Sequence, residues 1–387
     1  MTIREYLKRK PVIVFLYYLP IRIFLFIAHF FPLQRKIVFD NFCGRGLGDD
    51  PKYILLQMIK NGIRAKYIWL TNDLSIDVPA GVTKVQFGSW KAKYHYLTAK
   101  IWVDNVKNVP KPQKRKGQFY LQTWHSIFTT KMLEQDVEST LSLNYIIASK
   151  EDSSKIDLMY ANNDFNVTLF RKAFWYNGKV IKADSPHLSC ILEPSHKLKE
   201  QICSKYGIPK DKYIILYAPT FRKNFDTSVF KWDYALILDT FKRKYNKEFI
   251  ILAKFHPNIA EQMAFFTNDA FYNFSDYPDV TELIAISDIL ITDLSSVAYE
   301  MAIKGQPVFL FMKDLDEYTK SDRTQYFPID SLPFPIAQTE NEFVRNIDQF
   351  DDLDYKNRVN IFFKRIGLNE SGNGSIVISN ILKERLQ

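Results

Sequence analysis

Short apolar runs of four to six residues recur along the chain, separated by longer stretches with helical spacing. Residues 37–39, 65–70, 101–104 and 119–123 read as buried strands, with a helical pattern over 51–61. A second series runs through 213–217, 249–254, 289–292 and 307–310, joined by helical patterns over 232–245, 280–285 and 296–303. Such a βα alternation predicts parallel sheets with helices on both faces. The polar, Lys-rich stretch 193–208 separates the two series. The chain therefore reads as two α/β domains, 34–195 and 196–387, each Rossmann-like, facing one another in a GT-B-like arrangement. A helix near 342–363 is expected to cross back toward the first domain. In open α/β sheets ligands sit beyond the carboxyl ends of the strands. The loops after the strands are thus where chemistry is expected.

Residues 1–33 break this pattern. Arg4, Lys8, Arg9 and Lys10 precede a run from Pro11 to Pro32 that is almost wholly apolar, interrupted by Pro20 and Arg22. An arginine at the centre of a spanning helix costs at least ~2.5 kcal/mol on insertion scales. No small-residue cleavage site follows, which argues against a signal peptide. The segment is expected to lie on an anionic membrane surface as an interfacial helix pair, held by its basic flank and its aromatic rings.

Composition narrows the choice of partner. With 47% hydrophobic and 25% charged residues the chain is globular, and 387 residues suit two domains. A net charge of +9 favours anionic partners. No zinc-finger spacing, RNP signature or basic heptad region points to nucleic acid. Phosphorylated compounds and lipid head groups remain. Cys43, Cys190 and Cys203 have no metal-ligand spacing, and their odd number fits a reducing compartment.

Five strand-end loops carry candidate chemistry. The first runs Gln122, Thr123, Trp124, His125, Ser126; a histidine here can act as general base, its ordinary pKa of ~6.5 being close to working pH. The second, Tyr217 to Arg222, contains Pro219 and Thr220 and offers a hydroxyl, amides and a guanidinium to phosphate oxygens. In the third, Lys254 and His256 share one face by the period of two. The fourth brings Ser295 and Ser296 to a helix start, suited either to phosphate or to simple capping by Ser295. The fifth holds Asp314 and Asp316, a spacing that here reads as a solvated loop rather than a metal site.

Taken in order, these loops resemble the CDP-glycerol glycerophosphotransferase family. The resemblance runs from about Asn41 to Glu342 and includes residues 46–54 (GLGDDPKYI), 103–105 (VDN), 122–125, 173–176 (AFWY), 185–186, 218–222, 256–257, 291–296 and 314–318. It implies a bacterial membrane-associated enzyme on the cytoplasmic face, transferring an alditol phosphate from a CDP-activated donor to a lipid-linked saccharide or a growing polymer, without a cofactor or a metal. It implies His125 as catalytic base and His256 as a second catalytic group. For the donor it implies Trp124, Ser126, Pro219, Thr220, Arg222, Lys254, Ser295, Ser296, Glu300 and Arg323. Several positions depart from the family: Ser126 replaces a glycine, Pro186-His187 replaces Pro-Arg, Lys254 replaces an arginine, and Glu300 replaces an aspartate. A changed donor such as CDP-ribitol, a sugar-nucleotide glycosyltransferase of capsule synthesis, or a non-catalytic scaffold of the same fold are the rival readings.

Overall fold

The computed structural model describes residues 19–20, 23–24, 26–107, 111–193, 196–220, 222, 227–255, 271–315 and 325–387. Two parallel sheets organise them. The first has seven strands in the order β3-β2-β1-β4-β5-β6-β7. These are β1 (Gln34–Asp40), β2 (Lys66–Thr71), β3 (Val82–Gln86), β4 (Ala99–Asp104), β5 (Phe119–Gln122), β6 (Leu158–Ala161) and β7 (Lys179–Lys182). The second has six, in the order β10-β9-β8-β11-β12-β13. They are β8 (Tyr213–Tyr217), β9 (Phe249–Ala253), β10 (Phe271–Asn273), β11 (Ile289–Thr292), β12 (Val308–Phe311) and β13 (Ile336–Ala337). Each order reverses direction once, between β1 and β4 and between β8 and β11. Those switch points are where an open α/β sheet leaves a crevice.

The central strands are apolar on both faces because helices cover both. Ile37 and Phe39 enter the core on one side of the first sheet, Val38 that on the other. Residues 214–217 of β8 and all of β9 are likewise buried in the second domain.

The chain crosses between the domains at other points than the sequence reading expects. The helix Asp352–Ile366 buries Tyr355, Val359, Phe362 and Ile366 in the second core. It is the later helix Gly374–Arg385 that returns, placing Ile378 and Leu382, with Leu386, in the core of the first domain. The boundary also falls earlier than residue 195: Leu188 and Ile191 already belong to the second core, together with Ile202 and Cys203.

Two contacts lock the domains at their facing edges. Phe128, from the loop after β5, inserts into the second core against Tyr299, Phe327 and Phe362, at centroid distances of 4.6, 5.5 and 5.5 Å. Across the other edge, Lys52 on the helix Asp49–Lys60 pairs with Asp279 at 2.7 Å and Glu282 at 2.5 Å, and the Tyr53 hydroxyl donates to Asp279 at 2.9 Å. Burial alone lowers the proton affinity of Lys52, but the two carboxylates reverse this and hold its pKa above the ordinary lysine value.

Of the N-terminal segment, the part up to residue 18, with its basic cluster, lies outside the described residues. Among the described residues no helix is long and apolar enough to cross a membrane. Ile23, Phe26, Ile27, Phe30 and Phe31 are exposed, while Ala28 is fully buried and Phe24 meets the ring of Trp90 at 5.4 Å.

Candidate active site

The first-domain side of the site begins where β5 ends. The Gln122 carboxamide accepts the Trp124 amide at 2.8 Å and closes a tight turn. Trp124 adopts φ +61°, a left-handed conformation that costs a non-glycine residue ~1 kcal/mol or more. The turn lays the indole of Trp124 over His125, with centroids 4.1 Å apart. The His125 Nδ1 lies 2.9 Å from the carbonyl oxygen of Asn105. A carbonyl only accepts, so Nδ1 carries the hydrogen, and in the neutral ring Nε2 is the basic nitrogen. Asn105 follows β4, the neighbour of β5, and its side chain donates to Asn41 at 2.8 Å and to Asp49 at 2.7 Å. Ser126 donates its hydroxyl to the Phe128 carbonyl at 2.6 Å.

The second-domain side is built at the β8–β11 switch point. Asp293 accepts from the Thr220 amide at 2.9 Å and from the Thr220 hydroxyl at 2.7 Å. Arg222 is buried and reaches Asp293 at 2.8 Å; it also forks onto Asp314 through Nε at 2.6 Å and Nη2 at 2.9 Å. Asp314 is therefore part of a half-buried ion-pair network and not of a solvated loop; the guanidinium draws it in. Pro219 is buried at the turn itself. Ser296, not Ser295, is the residue before the helix Val297–Ile303, and its side chain makes no capping bond. Lys254 donates to the carbonyls of Ser275 and Tyr277 at 3.0 and 2.7 Å.

These two sides meet. Trp124, His125, Ser126, Thr220, Ser295 and Ser296 line one cleft with about 700 Å³ of open space. Residues 94 positions apart and farther in sequence are thus brought to one wall-to-wall site, as strand-end placement predicts. Lys254, Pro219, Arg222 and Glu300 are not among the lining residues. His256 and Arg323 lie outside the described residues.

Glu300 is the entry to a cluster that the sequence did not reveal. It is buried beside His187, with 3.6 Å between Glu300 Oε2 and His187 Nε2. His187 Nδ1 donates to Asp50 at 2.7 Å, its backbone amide to the same oxygen at 2.9 Å, and Asp49 lies 3.5 Å away. The other oxygen of Asp50 takes the Tyr160 hydroxyl at 2.5 Å. Burial by itself disfavours the imidazolium, but Asp50 and Glu300 outweigh it and raise the His187 pKa well above the ordinary histidine value. Asp49, Asp50 and His187 offer ligand atoms within 4.8 Å of one another. Both oxygens of Asp50 and the Nδ1 of His187 are already matched, so the trio forms an ion pair and not an open metal centre. The signal for His187 was present in the sequence only as a departure from a motif; its partners stand 137 and 113 positions away.

A Staphylococcus epidermidis teichoic acid poly(glycerol phosphate) polymerase is 28% identical over 368 residues, which cover 91% of this chain and 51% of the relative. The Bacillus subtilis protein of the same name is 29% identical over 368 residues, covering 90% of this chain and 49% of the relative. The chain thus spans about half the length of these curated relatives. Among solved structures, a variant of the wall teichoic acid polymerase TagF soaked with CDPG superposes with a TM-score of 0.83 at 25% identity, covering 100% of this chain and 98% of that one. Residues 23–383 match the family described as CDP-Glycerol:Poly(glycerophosphate) glycerophosphotransferase, and with that match over most of its length the chain belongs to this family.

Proposed function

We propose that this chain transfers glycerol phosphate, or a related alditol phosphate, from a CDP-activated donor to a hydroxyl of a lipid-linked acceptor or growing polymer. The observation that carries this is the cleft in which a histidine oriented through Nδ1 faces two serines of the opposite domain. His125 Nε2 takes the proton of the acceptor hydroxyl. The freed oxygen bonds to the phosphorus of the alditol phosphate as the bond from that phosphorus to the CMP oxygen breaks, and CMP leaves. Ser295, Ser296 and the amides around them meet the phosphate oxygens, where charge builds on the leaving group. Trp124 holds the His125 ring in place.

A polymer that grows on a lipid is reached from the bilayer surface. The exposed Ile23, Phe26, Ile27, Phe30 and Phe31 form an apolar face at one end of the first domain, and the Arg115 guanidinium ties this segment down by donating to the Phe31 carbonyl at 2.7 Å. This supports peripheral attachment at the cytoplasmic face of the membrane. The test is CMP release by the purified chain given CDP-glycerol or CDP-ribitol and a lipid-linked acceptor. His125→Ala is expected to reduce the rate by roughly 10²-fold or more, the scale of a lost general base; the sequence resemblance extends the same expectation to His256→Ala. Release of UDP from a sugar nucleotide in place of CMP, or full activity without His125, overturns the reading.

A further inference from the structure

The buried cluster behind the cleft connects its two walls. On one side Asp49 accepts from the Asn105 carboxamide, and the Asn105 carbonyl receives Nδ1 of His125. On the other, Glu300 stands one helical turn beyond Ser296, so it fixes the helix whose start faces the cleft. Between them lies one side chain, His187, at 4% exposure, with Asp49 and Asp50 of the first domain on its Nδ1 edge and Glu300 of the second on its Nε2 edge. Tyr160 completes the setting on Asp50, and Asn162 and Ser185 border the same small cavity, which reaches Ser126.

We infer that His187 is a positioning residue, a cationic latch that sets the register between the general base His125 on the first domain and the donor-holding serines on the second. This rests on the reaction proposed above for the cleft. Two carboxylates from two domains, Asp50 and Glu300, converge on one imidazolium, with Asp49 beside them, its pKa pushed up to about 7 by burial, and the arrangement is stable only while that cation stays between them. Removing a buried partner leaves uncompensated carboxylates that repel one another. The two walls then shift relative to one another, although each keeps its own side chains. Donor bound to the second domain is held as before, but the base no longer meets the acceptor oxygen in line with it. The signature of such a shift is a loss of kcat with little change in KM, because the interaction lost is one made only in the transition state.

Two variants of the full chain test this, His187→Gln and Glu300→Gln, the second leaving the His187–Asp50 pair intact. Each is measured alone and together with His125→Ala. The expected result is a kcat lower by about tenfold or more with donor KM within about threefold, since a misplacement on the order of 1 Å is enough for such losses. In the His125→Ala background the same substitutions should cost nothing further, because a residue acting through the base has nothing left to act on. His187→Arg, which keeps a permanent cation, should recover more of kcat than His187→Gln does. In histidine-labelled protein, the His125 imidazole signal, identified by its absence in His125→Ala, should shift in both Gln variants. A folded variant with an unmoved His125 signal, or an equal proportional loss of kcat with and without His125, overturns the latch. If His187→Gln does not fold, Glu300→Gln decides by the same two criteria. The imidazole signal needs no turnover: a shifted signal in a protein that releases no CMP from any cytidine donor overturns the assigned reaction and not the latch.

Discussion

Lys254 shows how burial makes one residue's contribution to folding depend on pH. Burial lowers its pKa from the ordinary lysine value to about 8, with Asp279 and Asp276 opposing the shift. An unfolded lysine keeps its proton to ~10.4, so between about pH 8 and 10 the unfolded chain binds more protons than the folded one. The contribution of Lys254 to folding is therefore least favourable below pH 8 and improves as pH rises through that window. If the ammonium also contributes to the donor phosphates, as the sequence resemblance implies, affinity moves the other way and falls as pH rises through about 8. Calorimetric titration of a CDP donor from pH 7 to 9.5 checks this. In Lys254→Arg, whose charge persists above pH 12, the fall should disappear. The same slope in both proteins removes Lys254 from the binding site.

At the scale of elements, the strand–turn–helix unit from β11 into Val297–Ile303 separates two roles that a sequence leaves merged. A serine at a helix start is either a cap or a ligand. Here the side chain of Ser296 caps nothing, while both serines face the cleft. Replacing Ser295 and Ser296 together by Ala should therefore weaken donor binding by about tenfold or more, the scale of lost hydrogen bonds to a charged group. The melting temperature should hardly change; a loss of stability with unchanged affinity would leave only the structural role. This unit was legible in the sequence because β8, β9, β11 and β12 are apolar but for Thr292 at the end of β11, as parallel central strands must be. Five strands escaped notice: β6, although its four residues are all buried, β7, where only Val180 is buried, and three that are short or lie at an edge. In β3, at a sheet edge, only Val85 is buried, and β10 and β13 have three and two residues. Likewise His125 was readable as the end of one strand. The Asn105 carbonyl that selects its tautomer, and the His187 cluster, depend on contacts between distant segments and leave no local pattern.

The whole molecule carries two asymmetries. One is the exposed apolar face of Ile23, Phe26, Ile27, Phe30 and Phe31, which under the proposed function is the side of the first domain from which a lipid-linked acceptor would arrive. A chain that begins at Leu33 should sediment with anionic liposomes far less than the full chain, keep its affinity for a soluble donor, and work poorly on membrane-embedded acceptor. Sedimentation and CMP release on the two forms check this. Equal sedimentation of a folded shortened chain places the anchor elsewhere, and unfolding would make the segment a part of the core instead. The other asymmetry is the return of the helix Gly374–Arg385 to the first domain, against Asp49–Lys60. The strands β1–β7 all precede the second domain in the chain, yet one face of their sheet, covered in part by the helix Asp49–Lys60, is completed only when the helix Gly374–Arg385 has been made. The second domain, whose strands and covering helices all lie between, can close first. The order of folding then inverts the order of translation: of the two domains the one begun earlier is finished later, and the part of its core that Ile378, Leu382 and Leu386 will cover is what a chaperone would meet on the nascent chain.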